Sequence, residues 1–264
     1  MSKSHWAEFY RRWAQLTPPL RPHKDVAEGI RKAVAGHDER VLLLGVTPEL
    51  ADLGAELIAV DHNDMMIAKI WPGDTALRRV VKADWRDLPF PRDDFSAAIG
   101  DGSLNALTYP TAHRQLYDQL AKVVRPGGRF VFRHYTTPDR GETIAAVRAT
   151  ALAGKIGSFH AFKWRLAMAM VAATGDPNIR VEAIREAFDR EFPDRAKLAA
   201  AAGWPVADID TIDVYKGSSE TYSFATFAQL RAAIPAAFEI PRLVPVGGYE
   251  LAERCPLVVM DLKP

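Results

Sequence analysis

Three observations predict an α/β fold, a seven-stranded mixed sheet sandwiched by helices with a helical insertion. Short runs that are apolar almost without interruption recur through the first half of the chain, as in strands covered on both faces. Helical or irregular segments separate them, the alternation that right-handed crossovers between parallel strands produce. The chain closes on two extended runs joined by a polar turn, "EIPRLVPVGGYELAERCPLVVMDL", which reads as an antiparallel hairpin.

In chain order, residues 1–37 read as an N-terminal helical cap. "HWAEFYRRWAQL" places Trp6, Tyr10 and Trp13 at helical spacing, a packing stripe or a cover for a nearby opening. The parallel strands are expected at Val41–Val46, Leu57–Asp61, Arg79–Ala83, Ala97–Asp101 and Phe130–Tyr135. After the first strand Thr47 suits an N-cap, Pro48 the first helical position and Glu49 the positive end of the helix dipole. "YPTAHRQLYDQLAKVVRPGG" predicts a helix from Pro110 or Thr111, with Leu116, Leu120 and Val123 on one side and Pro126, Gly127 and Gly128 as its stop. From Thr136 to Ala236 the strand pattern breaks, and "GETIAAVRATALAG", "SFHAFKWRLAMAMVAATG", "VEAIREAFDREFP" and "RAKLAAAAG" read as successive helices. Residues 38–136 and 237–264 therefore form the sheet-bearing domain, and 137–236 a helical lid inserted before the hairpin.

Composition narrows the function classes. The 264 residues are 48% hydrophobic and 25% charged with a net charge of +1, which leaves no basic excess for a nucleic-acid footprint. The single Cys255 excludes an internal disulfide and any zinc site built on paired cysteines, and it reads as a small buried hydrophobe. No metal site is expected. "MSKSHWAEFYRRW" has no signal-peptide core, and the most apolar stretch, "FHAFKWRLAMAMVAA", is interrupted by Lys163 and Arg165. The expectation is a cytoplasmic protein with no membrane partner.

Ligands of open α/β sheets bind beyond the carboxyl ends of the strands, so the strand exits carry the functional reading. Asp61 leaves the second strand with His62, Asn63 and Asp64 behind it. A carboxylate there can accept from both hydroxyls of a ribose, and the alternative is a cap for the next helix. "KADWRDLP" puts Asp84 and Trp85 at the third exit, where a carboxylate and a backbone N–H match the edge of an adenine. "GDGSLN" follows the fourth strand, and Gly100 and Gly102 let backbone approach a ligand beside the polar groups of Asp101, Ser103 and Asn105. The first exit, "GVTPE", holds one glycine, Gly45, where nucleotide-binding turns carry two or three. No G-x-S-x-G elbow, H-E-x-x-H pair or phosphate loop is present.

Taken in order, "VLLLGVTPEL", "IAVDHNDMMI", "VVKADWRDLPFPRDDFSAAIGDGSLNAL" and "QLAKVVRPGGRFVFR", with the terminal hairpin, resemble the class I, Rossmann-like S-adenosylmethionine-dependent methyltransferases. The resemblance covers about residues 38–136 and 238–264. It implies S-adenosylmethionine as cofactor, held by Gly45, Val46, Thr47, Asp61, His62, Asp84, Trp85, Gly100, Asp101, Gly102 and Ser103. It implies methyl transfer to a small-molecule acceptor. The first motif departs from the family: Leu43 stands where an acidic residue is usual, and Thr47 replaces the second glycine. His134 and Tyr135, at the fifth exit, are the expected catalytic residues, with His134 as base because an imidazole titrates near neutrality. A structural histidine is the alternative. His160 and Lys163 share a helix face, to meet an anionic substrate or simply to be solvated. An aminopropyl-type transferase, a non-catalytic binding module and an NAD-dependent oxidoreductase remain as rival readings.

Overall fold

The computed structural model describes residues 4–264, so positions 1–3 of the expected cap lie outside the described residues. A short helix α1 (Trp6–Phe9) and a 3-10 stretch over Tyr10–Gln15 precede α2 (Lys24–Val34). Then come β1 (Arg40–Leu44), β2 (Glu56–Asp61), α3 (Asp64–Ile70), β3 (Arg78–Lys82), β4 (Phe95–Asp101), α4 (Thr111–Val123) and β5 (Val124–Arg133). Helices α5 (Ile144–Leu152) and α6 (Phe159–Thr174) lead to β6 (Asn178–Arg180), α7 (Val181–Glu191), α8 (Arg195–Ala202) and α9 (Val206–Ile209). The chain ends with β7 (Thr221–Ser223), α10 (Phe227–Ala233), β8 (Arg242–Val244) and β9 (Leu257–Asp261).

One sheet of seven strands runs in the order β3-β2-β1-β4-β5-β9-β8. The strands β1 to β5 are parallel, and β9 lies antiparallel to both β5 and β8. Period-two alternation sends Leu42, Leu44, Ile58, Val60, Phe130 and Phe132 to one face, under Leu116, Tyr117 and Leu120 of α4. Val41, Leu43, Leu57, Ala59, Ile99 and Val131 face the other way, against Val26, Ile30 and Val34 of α2. Those three α2 positions recur every four residues, which puts them on one side of the helix. Both faces are covered, and this accounts for the uninterrupted apolar runs.

The helix expected after β1 is absent. Thr47 makes no side-chain capping bond, and the chain forms only a single 3-10 turn, Pro48–Leu50, before β2. Its place on the sheet is already filled by α2, with Leu50 and Leu53 plugging the remaining gap. β1 stops at Leu44 because Gly45 adopts φ +103 and turns the backbone. β5 ends at Arg133 because the Tyr135 N–H is taken by Asn105 Oδ1 and that of His134 by the Pro256 carbonyl.

The region after β5 builds a second apolar cluster around α6, which is buried on nearly every side by Val147, Phe188, Trp204 and Tyr215 among others. Ser158 caps α6 at its N-terminus, and Gly175 ends it in a left-handed turn. Glu250, from the turn before β9, accepts from the N–H groups of Gly157 and Ser158. The sequence pattern missed the small antiparallel ribbon β6–β7, whose three-residue strands are too short to show a period. Lys163 and His160 do share a face of α6, but that face is fully buried rather than solvated. No described helix is long and apolar enough to cross a membrane.

Burial leaves a thermodynamic signature. His5, His113, His134 and His160 are all 0% exposed, and burial lowers the first from 6.5 to about 3, His113 to about 4, and His134 and His160 to about 3. Each binds fewer protons folded than unfolded between 6.5 and its lowered value, so stability should fall as pH drops through 6.5 and keep falling toward the lowered values. Urea midpoints measured at about pH 7 and about pH 5 check this, the acid midpoint being the lower. Equal midpoints would mean that the histidines titrate as if exposed.

Candidate active site

Strand order reverses between β1 and its two neighbours, β2 and β4, and the crevice beyond their carboxyl ends is where such sheets take ligands. A cavity of about 370 Å³ opens there, within the range of small-molecule sites. Gly45, Val46 and Thr47 line it from the β1 exit, Asp61 and His62 from β2, Asp84 and Trp85 from β3, Asp101, Gly102 and Ser103 from β4, and Tyr135 from β5. Of the expected cofactor-binding and catalytic residues, Gly100 and His134 do not reach it.

At the β2 exit Asn63, not Asp61, caps α3 by accepting from the N–H groups of Met65 and Met66. Asp61 accepts the Asn63 N–H with Oδ1 at 2.8 Å, and this orients the carboxylate while leaving Oδ2 for the cavity. Burial raises its pKa. Trp85 donates from its indole nitrogen to the Val60 carbonyl at 2.6 Å, which pins the ring across the ends of β1 and β2. A Cβ added at Gly45 would meet only this ring, at 3.9 Å, so the Gly45 turn leaves open space in front of it. Asp84 is gripped by the Arg86 side chain at both oxygens, and these bonds lower its pKa. Oδ1 also accepts the Arg86 backbone N–H at 2.8 Å, so Arg86 fixes the carboxylate at the cavity edge.

The β4 exit is organised by Asp101. It forms a bidentate pair with Arg133, the residue opposite it in the β4–β5 register, and the two side chains are 4% and 0% exposed. Burial works against the Arg133 charge, but the Asp101 carboxylate outweighs it and holds the guanidinium well above its ordinary pKa. Arg133 also donates to Tyr135 Oη at 2.9 Å and Tyr249 Oη at 3.2 Å. Gly100, expected to approach a ligand, is instead needed for packing: its Cβ would fall 2.2 Å from Ser103 Oγ. That hydroxyl folds back to donate to the Leu44 carbonyl.

The base assigned to His134 is corrected by its position. It is sealed in the core beside His113 and the Ala225 backbone, and burial pushes it to about 3, far below a useful base. Structural support is the role its surroundings fit. Tyr135 lines the cavity, but its hydroxyl is committed, donating to the Pro19 carbonyl while accepting from Arg133.

The remaining wall comes from outside the parallel strands. Trp6, Phe9, Trp13 and Leu20 of the N-terminal segment face Trp164 of α6 and Ser219–Tyr222 across the opening. Tyr222 Oη meets His5 Nε2 at 2.6 Å, tying that segment to β7. Asn105 donates to the Tyr135 and Ser223 carbonyls and so joins β5 to β7. Sequence reasoning placed Asn105 at the β4 exit but missed Trp164 and Tyr222 as wall residues. The aromatic stripe Trp6–Trp13 was the one available signal, and it serves the cavity as well as packing. Among the described residues no group of three His, Cys, Asp or Glu side chains is placed to hold a metal ion.

Breaking the buried pair from one side should be costly. Arg133→Met leaves Asp101 unpaired and should destabilise the protein by about 3–5 kcal/mol, whereas Asp101→Leu with Arg133→Met should cost less than the single change. Urea unfolding of both variants checks the order, and a double variant less stable than the single one would contradict it.

The comparisons with known proteins agree with this geometry. Residues 45–132, which run from the Gly45 turn into β5, match the family described as Methyltransferase domain. A demethylmenaquinone methyltransferase from Mycobacterium marinum is 32% identical over 162 residues, covering 60% of this chain and 62% of that protein. The chain thus spans under two thirds of that relative's length. Among solved structures, the N-methyltransferase NodS from Bradyrhizobium japonicum, crystallised with S-adenosyl-L-homocysteine, superposes with a TM-score of 0.52 at 11% identity over 99% of this chain and all of the other. A chain described as a Zn-dependent alcohol dehydrogenase from Rhodobacter sphaeroides gives 0.60 at 12% identity, with full coverage of both chains. At such identities the likeness is one of fold alone. The matched motifs thus lie at the strand exits of a seven-stranded mixed sheet, the place where a methyltransferase domain of this kind holds S-adenosylmethionine.

Proposed function

We propose that this protein transfers the methyl group of S-adenosylmethionine to a small-molecule acceptor, at an oxygen or nitrogen, by in-line displacement. The observation that carries the reading is the meeting of five strand exits on one cavity, with the Asp61 carboxylate at the β2 end and open space over Gly45. On this reading Asp61 takes the ribose hydroxyls, Asp84 and the Trp85 N–H the adenine edge, and Gly45–Thr47 with Asp101–Ser103 the rest of the cofactor. The bound cofactor supplies a methyl group on a sulfonium that leaves as a neutral thioether.

The chain's own residues then position the acceptor and exclude water. Trp6, Phe9, Trp13 and Leu20 close the cavity on the side away from the sheet. With His134 sealed in the core and the Tyr135 hydroxyl committed, the favoured acceptor is one whose lone pair is available without a strong base. In this scheme residues 38–136 and 237–264 hold the cofactor, 137–236 form the substrate side, and 1–37 the cap. That the Mycobacterium marinum relative is named for a small-molecule acceptor supports the acceptor class.

Calorimetric titration tests the reading. S-Adenosylmethionine and S-adenosylhomocysteine should bind the purified protein and NAD should not. Asp61→Ala and Asp84→Ala should each weaken binding by at least about tenfold, ~1.4 kcal/mol. Wild-type affinity in both variants would move the cofactor elsewhere, and binding without methyl turnover on any acceptor would favour a binding module.

A further inference from the structure

Lys163 is a buried cation without a counter-ion. It is 0% exposed, and its Nζ makes no hydrogen bond. Burial alone lowers its pKa, to about 7, with no carboxylate near enough to oppose it. Its nearest companions are rings: Nζ lies 4.6 Å from the centre of Tyr215 and 5.9 Å from that of Trp164. Buried charges in proteins are ordinarily paired, so an ammonium in this position is an anomaly.

Two other buried nitrogens near it are also unmatched. His160, one turn earlier on α6, meets the Thr17 hydroxyl at 2.9 Å and the Thr17 N–H at 3.4 Å through Nδ1, and with Nδ1 accepting from both the ring proton sits on Nε2. That Nε2 and Trp164 Nε1 have no partner, and the Tyr215 hydroxyl has only Tyr222 beside it. Residues 160, 163 and 164 stand at i, i+3 and i+4, on one face of α6, and Tyr215 packs over the lysine. Another titratable neighbour, His5, lies 5.3 Å from the Tyr215 ring and is itself satisfied by Tyr222 and Ser218. Three buried donors on one face of α6 thus lack an acceptor, an arrangement seldom left unfilled. Trp164 and Tyr222 are also walls of the cavity.

We propose that Lys163, with His160, Trp164 and Tyr215, forms a subsite for an anionic oxygen, a carboxylate or phenolate, borne on an aromatic methyl acceptor whose ring lies among Trp6, Trp164 and Tyr222. The assignment rests on the reading of the cavity as the place of methyl transfer. Lys163 stands behind the wall, so the subsite opens by a turn of the Trp164 ring, whose indole N–H is bonded to nothing. The anion gives the ammonium its missing counter-charge and accepts from the idle donors. A lysine that is only partly protonated near neutrality then takes up a proton as the anion binds.

The test uses benzoate and its neutral counterpart benzyl alcohol, titrated calorimetrically into the full chain near neutral pH. It is run in two buffers of different ionisation enthalpy, with and without S-adenosylhomocysteine. Benzoate should bind at least about tenfold more tightly than benzyl alcohol, with uptake of part of a proton, and Lys163→Met should abolish both effects while keeping S-adenosylhomocysteine affinity. Equal binding of the two probes, or a benzoate preference that survives in Lys163→Met, overturns the subsite. Should that variant not fold, the wild-type proton balance decides: a preference without proton uptake also overturns it. Benzoate preference without any S-adenosylhomocysteine binding keeps the anion subsite and removes the methyltransferase reading instead.

Discussion

Where β4 and β5 end side by side, a carboxylate and a guanidinium face each other almost without access to water, and four parts of the chain are tied to them. Taking both charges out of water costs several kcal/mol, a cost recovered only if the geometry is good and every donor is used. Asp101 and Arg133 come close to these terms, with four of the five guanidinium N–H groups bonded. The pair is bidentate, and two further donors of Arg133 reach the hydroxyls of Tyr135 and Tyr249. Tyr135 passes the connection on to the Pro19 carbonyl. The floor of the cavity, the N-terminal segment that closes it and the turn before β9 are thereby fixed to one another through a single buried charge pair.

The turn before β9 does a second job. Its Tyr249 reaches the sheet through Arg133, and its Glu250 accepts from the first N–H groups of α6, where a carboxylate also suits the positive end of the helix dipole. The helix that carries His160, Lys163 and Trp164 is therefore held at its N-terminal end by the same turn that braces the floor of the site. Across the cavity, His5 on Tyr222 and Thr17 on His160 pin the N-terminal segment to the inserted helices. These contacts are polar bonds in apolar surroundings, strong where complete and expensive where broken.

The first motif shows how the chain manages without the usual glycines. Only Gly45 takes a positive φ between β1 and the 3-10 turn, and the space in front of it is kept open by pinning Trp85 to the Val60 carbonyl. Leu43, in place of an acidic residue, is fully buried against α2 and contributes packing to the sheet rather than charge to the site. Three of the acidic groups that line the cavity, Asp61, Asp84 and Asp101, come from three other strand exits. Each is held by a different partner, a backbone N–H, an exposed arginine and a buried arginine.

The strands, the covered sheet, the terminal hairpin and most strand-exit residues were legible in the sequence, because burial on two faces writes apolar runs and glycines mark where the backbone must turn. Those are local constraints, expressed within a few residues. What failed was whatever depended on a distant segment. Thr47–Pro48–Glu49 carries sound helix-start signals, yet α2 had taken the surface that helix would cover. His134 sits next to a cavity residue in sequence, but side chains alternate at a strand end, and its ring is turned into the core while Tyr135 faces the site. Lys163 and His160 share a helix face that the sequence leaves open to an anionic substrate or to solvent, and only the packing of Tyr215 and the N-terminal segment buries them. The sequence by itself determined the fold and the ring of residues at the strand exits. The tertiary structure alone decided which of those side chains meet a ligand and which charges go without water, since exposure and pKa are set by neighbours far away along the chain.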